Sequence, residues 1–156
     1  MCNGMINSDN AYANNDGVTL VLGAGNQSAL SLVDILHSIF MYPRKPVLVK
    51  HHPLRPFLYA TYQEILKPLI VRGYVDQILD QGIDCTTSIL SRDEIVHVHL
   101  TGSLSTSNAV QQTIQKAKPH LKPLEIRDMV TSELGCSTPC IITPGIYSKT
   151  ELLHLV

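Results

Sequence analysis

The chain has 156 residues, of which 44% are hydrophobic and 16% charged, and its formal charge is -1. That length fits one domain with a real core, and the near-neutral balance removes the electrostatic basis for binding nucleic acid or an anionic membrane. Few aromatics and no Trp leave no stacking platform for bases. The four cysteines, Cys2, Cys85, Cys136 and Cys140, contain no Cys-x-x-Cys pair, so reduced thiols in a cytoplasmic protein are expected. No apolar run approaches the length of a membrane span.

Residues 1–17 are polar and Asn-rich and read as a flexible lead-in, not a signal peptide; residues 18–156 read as a single domain. Val18 to Leu22 is a short apolar run, a buried strand. Gly23 and Gly25 break it, and Ser28 to Phe40 follows with Leu30, Val33, Leu36, Ile39 and Phe40 at amphipathic helical spacing. Val47 to Lys50 is a second strand. Leu54 to Arg72 reads as a long helix that Pro68 kinks or ends.

Tyr74 to Leu79 is a third strand, residues 84–92 a short helix, and Ile95 to Leu100 a fourth strand. Leu104 to Lys116 is a helix with Val110 and Ile114 facing inward. Leu124 to Thr131 and Cys140 to Thr143 are two further strand candidates. Strand and helix alternate, which predicts an α/β fold: a Rossmann-like parallel sheet with helices on both faces.

Four strand ends carry candidate chemistry. Gly23-Ala24-Gly25-Asn26-Gln27-Ser28 approaches Gly-x-Gly-x-x-Gly between strand and helix. It is either a pyrophosphate-binding turn or a tight turn needing glycines for positive φ. Lys50 ends the second strand, where ligands of open α/β sheets lie; an exposed lysine there is the plain alternative. Thr101-Gly102-Ser103 makes an anion-receptive corner or a simple helix cap. Glu133, before Leu134 and Gly135, is a strand-end base or a solvated glutamate. His51-His52 and the pair His97 and His99 read as packed or hydrogen-bonded residues, since no third ligand completes a metal site.

Taken together and in order, these corners resemble the cofactor-binding domain of the aldehyde dehydrogenase superfamily, from about Val18 to Tyr147. The resemblance implies that Asn26 helps hold an oxyanion and Lys50 bonds the adenosine ribose. It places Gly25 in the cofactor turn and Thr101, Gly102 and Ser103 near the pyrophosphate. Glu133-Leu134-Gly135 matches the Glu-Leu-Gly signature whose glutamate activates the hydrolytic water. NAD or NADP is the implied cofactor, and the implied activity is oxidation of an aldehyde or reduction of an acyl group.

Departures are equally specific. The usual Pro-Trp-Asn setting is Ala24-Gly25-Asn26, and the acid often found three residues after the lysine is Pro53. Ser107 and Cys136 stand where glycines are common. The family's nucleophilic cysteine lies a few dozen residues beyond the glutamate, past Val156. The expectation is therefore a truncated or split family member, inactive alone because covalent catalysis needs its nucleophile. Two alternatives stand beside it: a nucleotide-binding module docking on a separate catalytic half or on its own copy, and an ordinary Rossmann oxidoreductase.

Overall fold

The computed structural model describes residues 16–42, 45–79, 82–135, 141 and 145–154. The first strand, β1 (Val18–Leu22), is buried throughout. It is entered through Gly17 at φ 95°, where a Cβ would lie 2.5 Å from the Val96 side chain, so both space and conformation favour glycine. There follow α1 (Leu30–Met41), β2 (Val47–Lys50), α2 (Phe57–Ile65), α3 (Lys67–Val71), β3 (Val75–Ile78) and α4 (Ile83–Leu90). The remainder is β4 (Ile95–Gly102), α5 (Leu104–Ala117), α6 (Pro123–Met129), β5 (Val130–Leu134) and α7 (Lys149–His154).

The strands form one parallel sheet in the order β3-β2-β1-β4-β5. Side chains alternate between its faces. Leu20, Leu48 and Val98 join a core with Ile89 of α4 and Ile114 of α5. Val21 and Val49 pack on the opposite face with Ile35 of α1 and Tyr62 of α2. Helices therefore cover both faces, as the alternation predicts. The chain order reverses between β1 and β4, the place where such sheets open a crevice beyond their carboxyl ends. Among the described residues no helix is long and apolar enough to cross a membrane.

Three sequence expectations need correction. The strand expected over Leu124 to Thr131 is mostly helix α6, with β5 beginning only at Val130. Pro123 opens that helix, the Glu125 carboxylate accepts the Lys122 N–H at 2.6 Å, and Ile126 and Met129 face the core at helical spacing. The long helix expected over Leu54 to Arg72 starts only at Phe57, and the interruption expected from Pro68 falls at Leu66, dividing it into α2 and α3, because Pro68 has no N–H to continue the ladder. The lead-in over 1–17 falls, except Asp16 and Gly17, outside the described residues; so does the strand over 140–143, except Ile141.

The third correction concerns which side of α1 is inside. Its buried residues are Ser31, Asp34, Ile35 and Ser38, whereas Val33 is 58% and Phe40 79% exposed. The reason lies in the sheet beneath. His97, His99 and Thr101 of β4 and Thr131 of β5 share one face, and a buried polar face must be met by polar groups. Asp34 supplies one: its carboxylate accepts the Thr101 hydroxyl at 3.1 Å and lies 3.4 Å from His99 Nε2. Thr131 Oγ1 then bridges His99 Nδ1 at 2.9 Å and His97 Nε2 at 3.1 Å. The Tyr42 ring closes the far end against His97, with centroids 4.1 Å apart.

Burial, with the positive charges of His99, Lys45 and His37 acting in the same direction, lowers the His97 pKa from 6.5 to about 4. The unfolded chain therefore binds more protons than the native one between those values. Stability should be fully present above pH 6.5 and fall as the solution is acidified towards pH 4, by about 2–3 kcal/mol from this residue. Denaturant titrations at pH 7 and pH 4.5 should show that loss, and His97→Gln should flatten it. An equal slope in the variant would remove His97 as its source.

Candidate functional site

The strand ends stand level because the register makes them so. Leu22 pairs with Lys50 on one side and with Leu100 on the other, while Thr101 and Gly102 pair with Glu133 and Leu134. A cleft of ≈ 1040 Å³ opens at this rim, and Gly25, Asn26, Lys50, Thr101, Gly102, Ser103, Glu133, Leu134 and Gly135 all line it. Every sequence-predicted site residue thus meets in one place.

The glycine turn works by crowding and not by backbone sign. Gly23 and Gly25 are absent from the positive-φ glycines, Gly17, Gly73 and Gly82. A Cβ on Gly23 would instead lie 2.8 Å from Ser31 Oγ and 3.3 Å from the Lys50 carbonyl, and one on Gly25 would meet the His52 ring at 2.7–2.9 Å. The Gly23 N–H donates to that same Lys50 carbonyl at 3.0 Å, so the turn lies directly on the end of β2. Arg55 completes the join: Nε donates to the Gly25 carbonyl at 3.1 Å and Nη2 to the Asn26 carbonyl at 2.9 Å. Asn26 itself is exposed at the mouth of the cleft.

Lys50 is only 7% exposed and borders the cleft. The next residue, His51, is wholly buried; its Nε2 donates to Gln77 Oε1 at 2.7 Å, and Tyr62 packs edge-on against its ring. Burial lowers its pKa, opposed by the Gln77 bond, so this imidazole is a neutral structural group. His52 emerges into the cleft, with Nδ1 accepting the Leu54 N–H at 3.1 Å.

At the β4 corner the helix-cap reading holds. Ser103 caps α5, its hydroxyl accepting the Thr106 N–H at 3.1 Å, and it also lines the cleft. The first amides of α5 have no acceptor within the helix, so this end favours an anion. Gly102 adds open space, since a Cβ there would come no closer than 3.5 Å to any neighbour. Thr101 is the exception, because its hydroxyl is turned inward onto Asp34. Glu133 is exposed near the end of β5.

Sequence reasoning missed Arg55 and Asp34. Asp34 is the lone acid of a helix whose other residues are apolar or hydroxyl-bearing, His37 apart, a signal that the sequence itself carries. Arg55 sits between two prolines in the loop after β2 and gives no such cue. Among the described residues, no group of three His, Cys, Asp or Glu could hold a metal ion.

A parallel sheet in this order, with a cleft at its switch point and a helix N-terminus beside it, defines a Rossmann-like α/β fold. No protein-family model matches the sequence, and no curated protein matches it. Solved structures do match the fold, aldehyde dehydrogenases among them. Succinic semialdehyde dehydrogenase from Streptococcus pyogenes, in complex with NADP+, is 20% identical with a TM-score of 0.60, over 78% of this chain and 24% of that one. An aldehyde dehydrogenase from Bacillus cereus, in complex with NAD+, is 19% identical with a TM-score of 0.58, over 81% and 24%. The Delta-pyrroline-5-carboxylate dehydrogenase of Mycobacterium tuberculosis, bound with NAD, is 15% identical with a TM-score of 0.58, over 77% and 22%. The likeness establishes the shared fold, and this chain spans about a quarter of the length of those enzymes.

The contact between Gly23 and Ser31 gives a direct test of the turn. Gly23→Ala should cost about 1–3 kcal/mol, the usual cost of overpacking. Ser31→Ala should cost little, because Ser31 Oγ is buried with no hydrogen-bond partner. The double variant should recover most of the loss in a thermodynamic cycle. Purely additive losses would show that the crowding lies elsewhere.

Proposed function

We propose that this chain is an aldehyde dehydrogenase-like unit that binds a nicotinamide dinucleotide, NAD or NADP, in the cleft at the carboxyl rim of the sheet. The observation that carries the reading is the convergence of four separate strand ends on one cleft beside the N-terminus of α5. The residues present fit such a group. The α5 amides and Ser103 receive the pyrophosphate, Gly102 leaves it room, and Lys50 meets the adenosine ribose. The bound dinucleotide supplies the hydride acceptor for oxidation of an aldehyde, or the donor for reduction of an acyl group.

Asn26, at the cleft mouth, offers its side-chain amide N–H to the oxyanion formed on the substrate carbonyl. One such donor contributes about 3–4 kcal/mol to a transition state. Glu133, on the exposed end of β5, takes a proton from the water that releases the acid. Among the described residues no thiol stands ready to attack the carbonyl: Cys85 is buried and does not line the cleft. The unit alone is therefore proposed to bind cofactor without turning over aldehyde.

A second reading is that the unit docks on a catalytic half or on its own copy. Val33, Leu36 and Phe40 favour it, forming an exposed apolar stripe on α1 at spacings of three and four. Co-purification with a cysteine-bearing polypeptide would support that arrangement, and light scattering would separate it from self-association.

Calorimetry with NAD+ and NADP+ tests the proposal, and heat from neither would sink it. Gly102→Asp makes the test specific. A carboxylate at the start of α5 should leave stability unchanged or raise it by about 0.3–1 kcal/mol, yet weaken dinucleotide binding at least about tenfold by repelling the pyrophosphate. Unchanged affinity in that variant would remove the α5 corner from the site.

A further inference from the structure

α1 is shaped for contact on both of its sides. Its inner side meets the buried polar layer through Asp34. Its outer side is the row Ala29, Val33, Leu36 and Phe40, at helical spacings of four, three and four, with Met41 at the edge. Val33 is 58%, Leu36 38%, Phe40 79% and Met41 61% exposed. His37 turns its ring towards the buried His99, with centroids 6.0 Å apart. Asp34 is the one charged residue of the helix and is buried, so the outer side carries no charge. α5, on the opposite face of the sheet, differs: it shows Ser105, Asn108, Gln112 and Lys116 to solvent, the ordinary polar surface of a one-sided helix.

The size of the row sets what can cover it. With about 150–250 Å² available on a large side chain, those exposed fractions leave roughly 400–500 Å² of apolar surface, a patch of the size that marks interaction sites. Two such patches face to face bury roughly 1,000 Å², the lower bound of a specific interface.

The row is also complementary to its own reverse. About a two-fold axis between Val33 and Leu36, Phe40 of each copy falls over Ala29 of the other, and Val33 falls beside Leu36. Large thus meets small at the ends, and every position is used twice. A parallel pairing would instead stack Phe40 on Phe40 and leave a gap between the two Ala29 residues. A face without charge brings no like charges together when it meets itself, and a net charge of -1 opposes self-association little. A charged partner would find no counter-charge on it.

We propose that this chain forms an isologous dimer through α1, packed antiparallel on α1 of a second copy with the axes about 8–10 Å apart. Because α1 begins beside the cleft and runs back along the sheet, the reversal sets the two clefts at opposite ends of the pair. The inference chooses one of the partners in the second reading above and does not depend on what the cleft binds.

Sedimentation velocity on the full chain, from about 1 to 300 μM, tests it. The unaltered chain should pass from monomer to dimer over that range, and added sodium chloride should not reverse the passage. Phe40→Glu and Val33→Lys should each raise the dissociation constant at least about thirtyfold, while Gln112→Glu on α5 should leave it unchanged. Both α1 positions are exposed, and thermal melts at low concentration should show each variant folded like the parent. A chain that stays monomeric throughout overturns the dimer, whether another protein or the chain's own residues 1–15 then cover α1. A dimer that survives both α1 substitutions, or that Gln112→Glu removes, overturns its assignment to this helix. Dissociation by salt overturns the uncharged contact. None of these results touches dinucleotide binding, which calorimetry reads separately.

Discussion

β1 is hydrogen-bonded along both edges, to β2 and to β4, and all five of its residues are buried. That double pairing fixes where every functional corner can be. A parallel ladder has one register in which Leu22, Lys50 and Leu100 stand level, and a slip by one residue would send each side chain to the opposite face. The glycine turn continues the same logic past the end of the strand, because the Gly23 N–H takes the Lys50 carbonyl as its acceptor. The cleft is therefore an extension of the sheet's hydrogen bonding, and its floor is as well determined as the core beneath it.

The polar layer under α1 is the costlier part of the design. Asp34, His97 and His99 are all nearly inaccessible, and such groups are tolerated only when they satisfy one another. They do so in a line from Thr101, at the cleft, to Tyr42 near the opposite end of the sheet. The line is incomplete, since His97 Nδ1 and His99 Nε2, like Thr19 Oγ1 and Ser38 Oγ, remain buried without hydrogen-bond partners. The same arrangement turns the apolar side of α1 outward, so a local requirement for polar partners decides what the molecule shows to its surroundings.

Much of this was legible in the residues. The strands at Val18 and Val47 read correctly because a continuous apolar run flanked by glycine or proline has few other uses. The site corners were legible because strand ends are where such sheets keep their chemistry, and Asn26, Lys50, Ser103 and Glu133 each follow a run of that kind. Residues 124–131 misled because Ile126, Met129 and Val130 suit either period, and only the Pro123 and Glu125 capping arrangement decides for helix. The inward face of α1 misled for a deeper reason. Val33, Leu36 and Phe40 make the better apolar stripe, but Asp34 answers to His99 and Thr101, which lie 65 and 67 positions further along the chain. Periodicity within one helix carries no information about partners so remote. The motif likeness was legible at the corners alone, consistent with a fold shared at 15–20% identity.

The Arg55 clasp has a consequence for any molecule entering the cleft. Its two bonds tie the loop after β2 to the turn after β1 before a guest arrives. Two of the segments that would otherwise have to be immobilised at the moment of association are already held in shape by folding. A rim preorganised in this way spares the guest that entropic penalty, so its grip depends on matching a set of fixed positions and not on drawing loose chain around itself.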